Sequence, residues 1–292
     1  MGPLELMKMP GLMALTQGRA EVVVGLLDGP VAVEHPDLAT GNLRMLSGSS
    51  GACRSSASEA CRHGTFVAGI LAARRGSRAP AIAPGCTLLV RPILTETELA
   101  GELPSATPSE LAEAIVDCVD AGASILNLSV ALWEGSMGAQ RELGEALGYT
   151  THRGVLVVVA AGNQGTVGGS VITHHPWTIP VVAYDRAGWP LAQSNLGRSM
   201  GSRGVGAPGE GVVSLAPEGE PVTSGGTSVA AAFVTGAAAL LWSVFSGVTA
   251  IEVKHALFSS LGGRRRTVTP PLLDVWRAYE MLSEGQGRRA MS

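Results

Sequence analysis

Residues 155–163 have the sequence VLVVVAAGN, an apolar run that ends in small and polar residues. A short, uninterrupted run rich in valine is typical of a strand buried on both faces of a parallel sheet. Residues 22–30, VVVGLLDGP, repeat the pattern and end at a turn. Similar runs predict further strands at 87–94, 125–130, 179–184 and 211–215.

Helical patterns lie between these runs. The clearest helix begins at Thr107-Pro108-Ser109-Glu110, a capping box with proline in the first turn, and ends at Gly122. The other helices are predicted at 63–75, 140–153, 228–245, 251–260 and 272–282. This alternation predicts an α/β fold with a mostly parallel central sheet and helices on both faces.

The chain is expected to form one domain, because no long linker interrupts it. Within residues 1–292, the core is expected at about 20–283. Residues 1–19 would be an N-terminal extension, and residues 284–292 a flexible tail.

Composition excludes several classes of function. The 292 residues include 21 basic and 24 acidic side chains, which give a net charge of −3, and 46% are hydrophobic. A nearly neutral chain is not expected to bind nucleic acid or an anionic membrane. Residues 227–248 carry no charge and could cross a bilayer by length, but their many small and hydroxyl side chains favour a buried core helix. Residues 1–20 lack the apolar centre of a signal peptide, so we expect a cytoplasmic protein.

Four polar residues stand where an α/β sheet usually binds ligands, beyond the carboxyl ends of its strands. Asp28 and Asn163 follow predicted strands, while His63 and Ser228 open predicted helices. Each alone has an ordinary explanation as a turn former, a loop residue or a helix cap. Together they predict a polar site at one edge of the sheet.

The segments around these four residues resemble the motifs of the subtilisin-like serine proteases. Residues 26–38, LLDGPVAVEHPDL, are similar to the aspartate motif, and residues 63–73, HGTFVAGILAA, to the histidine motif. AAGNQG at 160–165 resembles the oxyanion asparagine motif, and GGTSVAAAFVTGAAALL at 225–241 the serine motif. The order aspartate, histidine, serine is also that of subtilisin. The resemblance implies a subtilisin-like three-layer fold and a serine endopeptidase without a cofactor.

The same resemblance implies a role for each of the four residues. Ser228 would be the nucleophile and His63 the base that takes its proton, while Asp28 would orient the imidazole. Asn163 and the backbone N–H of Ser228 would stabilise the oxyanion.

Substrate contacts are implied in the same way. An extended peptide would pair with one edge of the cleft, formed by Ser129, Val130 and Ala131. The opposite wall of the first specificity pocket would consist of Ala160, Ala161 and Gly162. A peptide substrate is therefore the partner expected.

A narrower resemblance is to the PatA-like leader-peptide proteases of cyanobactin maturation. It is carried by PGLMALTQG at 10–18, VGLLDGPV at 24–31 and IAPGC at 82–86. It implies a cytoplasmic protease without a pro-segment that removes the leader of a ribosomally synthesised precursor peptide. Only 27 residues precede Asp28, which agrees with that expectation.

Other outcomes stay open at this point. The related PatG-like enzymes form macrocycles and carry a helical insertion between the aspartate and the histidine. Here 63 − 28 = 35 positions separate the two residues, so hydrolysis is expected instead. A general intracellular subtilisin-like peptidase and an inactive peptide-binding scaffold are the alternatives.

No metal site is expected. Residues 74–80, where the family often binds calcium, contain three arginines and no carboxylate, whereas calcium needs oxygen ligands. A zinc site built from Cys53, Cys61 and His174 or His175 is an alternative, although the spacing matches no common pattern.

The four cysteines are expected to be reduced. Cys53 and Cys61 flank a serine-rich loop before His63 and could form a disulfide, but free thiols are favoured in a reducing cytosol. Cys86 and Cys118 lie in apolar patterns and are predicted in the core.

Overall fold

The structure, a computed structural model, describes residues 1–38, 41–46, 52–96, 106–129, 136–259 and 266–290. Within these ranges the central strands are β1 (Val23–Asp28), β2 (Leu43–Met45), β3 (Thr87–Pro92), β4 (Ile125–Leu128), β5 (Leu156–Ala160), β6 (Thr178–Tyr184) and β7 (Val205–Pro208). They form one sheet in the order β2-β3-β1-β4-β5-β6-β7, and every neighbouring pair is parallel. The predicted α/β class and the parallel sheet are confirmed.

Helices cover both faces of this sheet. The described helices are α1 (Pro3–Leu6), α2 (Pro10–Leu15), α3 (Glu59–Ala72), α4 (Pro108–Asp120), α5 (Met137–Arg153), α6 (Val171–His174), α7 (Arg198–Arg203), α8 (Thr227–Val244), α9 (Ala250–Ser259) and α10 (Val275–Ala290). Successive side chains of β1 enter different cores, because a strand alternates its faces. Leu26 joins the core that contains α3 and α8, and Leu27 joins the core that contains α4 and α5. The result is the three-layer arrangement that was predicted.

Helix α8 runs through the larger core. Among the helices that the structure describes, it is the one long and apolar enough to cross a membrane, and 89% of it is buried within the protein. Its alanines and Phe233 have no exposed surface. The prediction of a buried core helix for this segment is therefore confirmed.

Several predicted helix boundaries are wrong, most clearly the start of α3 and the end of α10. Helix α3 begins at Glu59, because the backbone leaves its extended conformation at Ser58, so His63 lies in the second turn and does not open the helix. The tail expected to be flexible is helical as far as Ala290. Ion pairs between side chains one turn apart stabilise this end, such as that of Arg288 with Glu284 at 3.7 Å.

Two predicted strand assignments also change. Strand β4 ends at Leu128, so Ser129 lies just beyond it. The strand expected at 211–215 is β8 (Val212–Ser214), which pairs antiparallel with β9 (Val222–Ser224) in a separate two-stranded sheet.

The N-terminal segment is part of the packed interior. Met7, Met9 and Leu12 have no exposed surface and belong to the larger core. The guanidinium of Arg75, from the arginine-rich stretch after α3, donates a 2.8 Å hydrogen bond to the carbonyl oxygen of Thr16. Residues predicted as an extension are thus held by both apolar packing and hydrogen bonds.

The expectation of free thiols at Cys53 and Cys61 is wrong, since the two form a disulfide with a Cα–Cα distance of 5.5 Å. The backbone N–H of Cys53 donates to the carbonyl oxygen of Val31, which holds this loop beside the first turn of α3, where Cys61 lies. Their sulfurs are bonded to each other, so the zinc alternative fails. Cys86 and Cys118 are free and buried, as predicted, and burial raises the pKa of the Cys118 thiol to about 12.

Candidate active site

The candidate site begins at the carboxyl ends of three neighbouring strands. The residue before Asp28 pairs with Leu128, which precedes Ser129. Leu128 pairs in turn with Val159, which precedes Ala160. Because adjacent strands lie about 4.8 Å apart, Asp28, Ser129 and Ala160 form a row along one edge of the sheet.

Asp28 and His63 are in direct contact. The Asp28 side chain has no exposed surface, and its Oδ1 lies 2.6 Å from His63 Nδ1 and accepts a 2.6 Å hydrogen bond from the Gly29 N–H. An ionised carboxylate only accepts hydrogen bonds, so Nδ1 of a neutral His63 carries the proton. The Nε2 atom is then unprotonated and can act as a base.

Opposing effects set the pKa of His63. Burial of the ring lowers this pKa, whereas the charge of Asp28, the hydrogen bond to it and the charge of Glu59 raise it. The net pKa lies above the usual value of 6.5. His63 is therefore a stronger proton acceptor than free histidine, but it needs a higher pH to be unprotonated.

Ser228 lies in the first turn of α8, next to this row of strand ends. Its hydroxyl donates a 3.4 Å hydrogen bond to the carbonyl oxygen of Ser129. No hydrogen bond joins Ser228 to His63 within the part of the chain that the structure describes. The structure thus brings Ser228 to the strand beside Asp28, with its hydroxyl directed at a carbonyl oxygen. The N-terminus of the 18-residue helix adds a positive electrostatic potential here.

Asn163 is anchored to the start of the same helix. Its Oδ1 accepts a 2.9 Å hydrogen bond from the Thr227 N–H, and the Gly162 N–H donates a 3.1 Å bond to Thr227 Oγ1. Gly226 has φ of +114°, and a Cβ there would lie 3.1 Å from Asn163 Nδ2. Only glycine fits that backbone comfortably. Because Oδ1 already accepts this hydrogen bond, Nδ2 is the end of the side chain that can donate one.

A buried chain of hydrogen bonds supports Ser129 from inside the protein. Thr235 Oγ1 donates to Asn127 Oδ1 at 2.8 Å, and Asn127 Nδ2 donates to Ser129 Oγ at 2.7 Å. All three side chains are at most 4% exposed. Sequence reasoning missed Thr235 and Asn127, although Thr235 lies two helical turns after Ser228 and Asn127 is a polar residue within an apolar strand.

The predicted substrate-binding residues are only partly described. Ser129, Ala160 and Ala161 are buried around the strand ends. Gly162 is partly exposed with φ of +102°. Val130 and Ala131 lie outside the described residues. The contact of any of these residues with a peptide stays a prediction.

Comparison with known proteins identifies related molecules. Residues 19–287 match the model of the Subtilase family. The chain resembles the solved protease domain of PatA, in a serine-to-alanine mutant, with 32% identity and a TM-score of 0.81 over 92% of this chain and 97% of that one. It also resembles the prenylagaramide maturation protease PagA, with 29% identity and a TM-score of 0.80 over 94% and 98% of the two chains.

Two relatives were also found by sequence comparison. Subtilisin DY of Bacillus licheniformis is 30% identical over 82% of this chain and 84% of its own length. Fervidolysin of Fervidobacterium pennivorans is 28% identical over 81% of this chain, and the match spans only 36% of that longer protein.

Proposed function

The chain belongs to the subtilase family of serine proteases, and we propose that it is an endopeptidase that removes a leader from a ribosomally synthesised precursor peptide. In this proposal Asp28, His63 and Ser228 form the catalytic triad and Asn163 binds the oxyanion. The observation that carries the catalytic part is the 2.6 Å contact of Asp28 Oδ1 with His63 Nδ1, which leaves Nε2 free as a base.

Acylation begins when the Ser228 hydroxyl leaves the Ser129 carbonyl oxygen and turns to His63 Nε2. The Oγ atom attacks the carbonyl carbon of the peptide bond, and its proton passes to Nε2. The positive charge that develops on His63 is stabilised by the buried Asp28 carboxylate. His63 then gives the proton to the leaving amine nitrogen as the carbon–nitrogen bond breaks, and an acyl-enzyme on Ser228 remains.

The oxyanion of each tetrahedral intermediate needs fixed hydrogen-bond donors. Asn163 Nδ2 and the backbone N–H of Ser228 are suited to this role, because the loop of Asn163 is bonded to Thr227 immediately before Ser228. Donors that are already in place need no reorganisation during the reaction. In comparable sites, each such donor lowers the free energy of the transition state by about 3 to 4 kcal/mol.

Water completes the reaction. It attacks the acyl carbon, gives a proton to His63 and releases the carboxyl product, after which the proton returns to Ser228 Oγ. Hydrolysis is preferred over macrocyclisation in this proposal, because 35 positions between Asp28 and His63 leave little chain to shield the acyl-enzyme from water.

The proposed substrate class is supported by the structural relatives. PagA is described as a prenylagaramide maturation protease, and PatA as a patellamide maturation protease. We extend this type of substrate to the present chain, and with it a cytoplasmic location, where precursor peptides are made. The Cys53–Cys61 disulfide does not support that location, because disulfides are rare in a reducing cytosol.

Labelling with a fluorophosphonate probe tests the catalytic part. The wild-type protein is expected to be labelled, and Ser228→Ala is expected to resist labelling completely. Ser77→Ala, which changes a serine in the loop after α3, is the matched control and should label like wild type. A wild-type protein that resists the probe as fully as Ser228→Ala would support an inactive peptide-binding scaffold.

Cleavage mapping on a random peptide library tests the substrate. One dominant sequence context is expected for an enzyme with a dedicated precursor. Broad cleavage by a protein that labels normally would instead show a general subtilisin-like peptidase, and would overturn the substrate part alone.

A further inference from the structure

The exposed loop after β5, which carries Asn163, is held by a residue outside the proposed triad. Asn195, in the segment after β6, donates a 2.9 Å hydrogen bond from its backbone N–H to the Gly162 carbonyl oxygen. Its side-chain Oδ1 accepts hydrogen bonds of 3.1 Å from the backbone N–H groups of Gln164 and Thr166. Asn195 therefore binds the chain on both sides of Asn163.

The remaining atoms of the Asn195 amide are also used. Oδ1 accepts a third bond, from Thr166 Oγ1 at 3.1 Å, and Nδ2 donates a 2.6 Å bond to Gln164 Oε1. Gly162 makes this close approach possible, because its φ is +102° and a Cβ would lie 2.3 Å from Asn195 Nδ2. The side chain fits directly against the turn that precedes Asn163.

Apolar packing contributes little to the shape of this loop, although its backbone also forms hydrogen bonds with Gln193 and Leu196. Residues 163–169 are all exposed, so apolar burial contributes little to their conformation. Hydrogen bonds must therefore hold the loop, and the side chain of Asn195 provides four of them. A donor that stabilises an oxyanion acts only if it is held within a fraction of an ångström of its position.

We infer, on the basis of the function proposed above, that Asn195 is a positioning residue for the oxyanion site. It fixes the loop so that Asn163 Nδ2 points at the developing oxyanion. Asn195 itself touches neither the substrate nor Ser228 in this role, and its effect on the reaction passes through Asn163.

The test measures the rate constant of labelling, kinact, and the probe affinity, KI, with a fluorophosphonate. The phosphonyl oxygen of the adduct occupies the oxyanion position, so no knowledge of the peptide substrate is needed. Asn163→Ala is expected to lower kinact about 100-fold or more. Asn195→Ala is expected to lower kinact about tenfold to 100-fold, because a displaced catalytic group loses rate on that scale, with KI changed less than about twofold.

A double variant separates positioning from a general structural effect. If Asn195 acts through Asn163, the variant with both alanines should label within about twofold of Asn163→Ala alone. Asn42→Ala is the matched control, since Asn42 Nδ2 also links two segments, through the Pro84 carbonyl oxygen, at the far edge of the sheet. Asn42→Ala should leave kinact unchanged.

Failure of the inference is distinguishable from failure of the proposed function. If Asn163→Ala is slow but Asn195→Ala labels like wild type, or if the two losses multiply, Asn195 does not position Asn163. If Asn163→Ala itself labels like wild type, the proposed oxyanion role is wrong. If Asn195→Ala does not fold, Gln164→Ala is the second variant, since it removes only the Oε1 atom that accepts a hydrogen bond from Asn195 Nδ2. It is expected to slow labelling about twofold to tenfold. An unchanged kinact in this variant would overturn the inference.

Discussion

Opening the Cys53–Cys61 disulfide is expected to destabilise the protein by about 2.5 kcal/mol. The bridge closes a loop with a sequence separation of 8, and the chain-entropy relation gives about 2.5 kcal/mol at 25 °C for a loop of that size. Cys61 lies two residues before His63, and the backbone N–H of Cys53 donates a hydrogen bond to the carbonyl oxygen of Val31, three residues after Asp28. The bridge therefore joins the two segments that carry Asp28 and His63.

The assay is guanidinium unfolding of the oxidised and reduced protein in a Ser228→Ala background, which prevents self-digestion. Reduction should lower the free energy of unfolding by about 2.5 kcal/mol, and Cys53→Ala/Cys61→Ala should be insensitive to the reductant. Cys86→Ala is the control, since Cys86 is already a free thiol and its variant should keep the full response.

Two results would refute this reasoning. Titration of four free thiols in the purified protein would show that the bridge does not form. A change below about 0.5 kcal/mol, with the bridge fully reduced, would show that the loop closure contributes little to stability.

Three further outcomes follow from the titrating and hydrogen-bonding groups. Activity should rise with pH around a midpoint above 6.5, because His63 must be unprotonated, and Glu59→Gln should move that midpoint to lower pH by removing a charge that raises the pKa of His63. Thr235→Val should lower the free energy of unfolding by about 1 to 3 kcal/mol, measured with guanidinium, because it leaves the buried Oδ1 of Asn127 without a donor. Thr235→Ser keeps the hydroxyl and should retain most of that stability. Burial lowers the pKa of Lys254 to about 8, so the unfolded chain holds more protons between pH 8 and 10.5. The free energy of unfolding should rise over that interval by up to about 3 kcal/mol, and Lys254→Met should lack the rise.

Each of these outcomes can be contradicted. An unchanged midpoint in Glu59→Gln would mean that the charge of Glu59 does not contribute to the pKa of His63. Equal stability of Thr235→Val and wild type would mean that another donor satisfies Asn127. If Lys254→Met shows the same rise in stability between pH 8 and 10.5 as wild type, the effect arises from other groups.

The main strands could be predicted from the sequence, and so could the four residues proposed for the site. Strand β5 is an uninterrupted apolar run, as burial on both faces of a sheet requires. Its position therefore follows from the local sequence alone. Asp28 and Asn163 end such runs, which is why they were found. Segments in which apolar residues show no clear periodicity were not predicted, among them α1, α2 and β9.

Sequence by itself determined the α/β class and the parallel sheet, and it indicated the four residues proposed for catalysis, because apolar periodicity and strand ends are local properties of the chain. Only the tertiary structure decided that Cys53 forms a disulfide with Cys61 and that Asn127 lies between Thr235 and Ser129. It also decided that Asn195 forms hydrogen bonds with the loop of Asn163. Each of these contacts joins residues from different elements or loops. Their geometry depends on how strands and helices pack, and no local pattern records it.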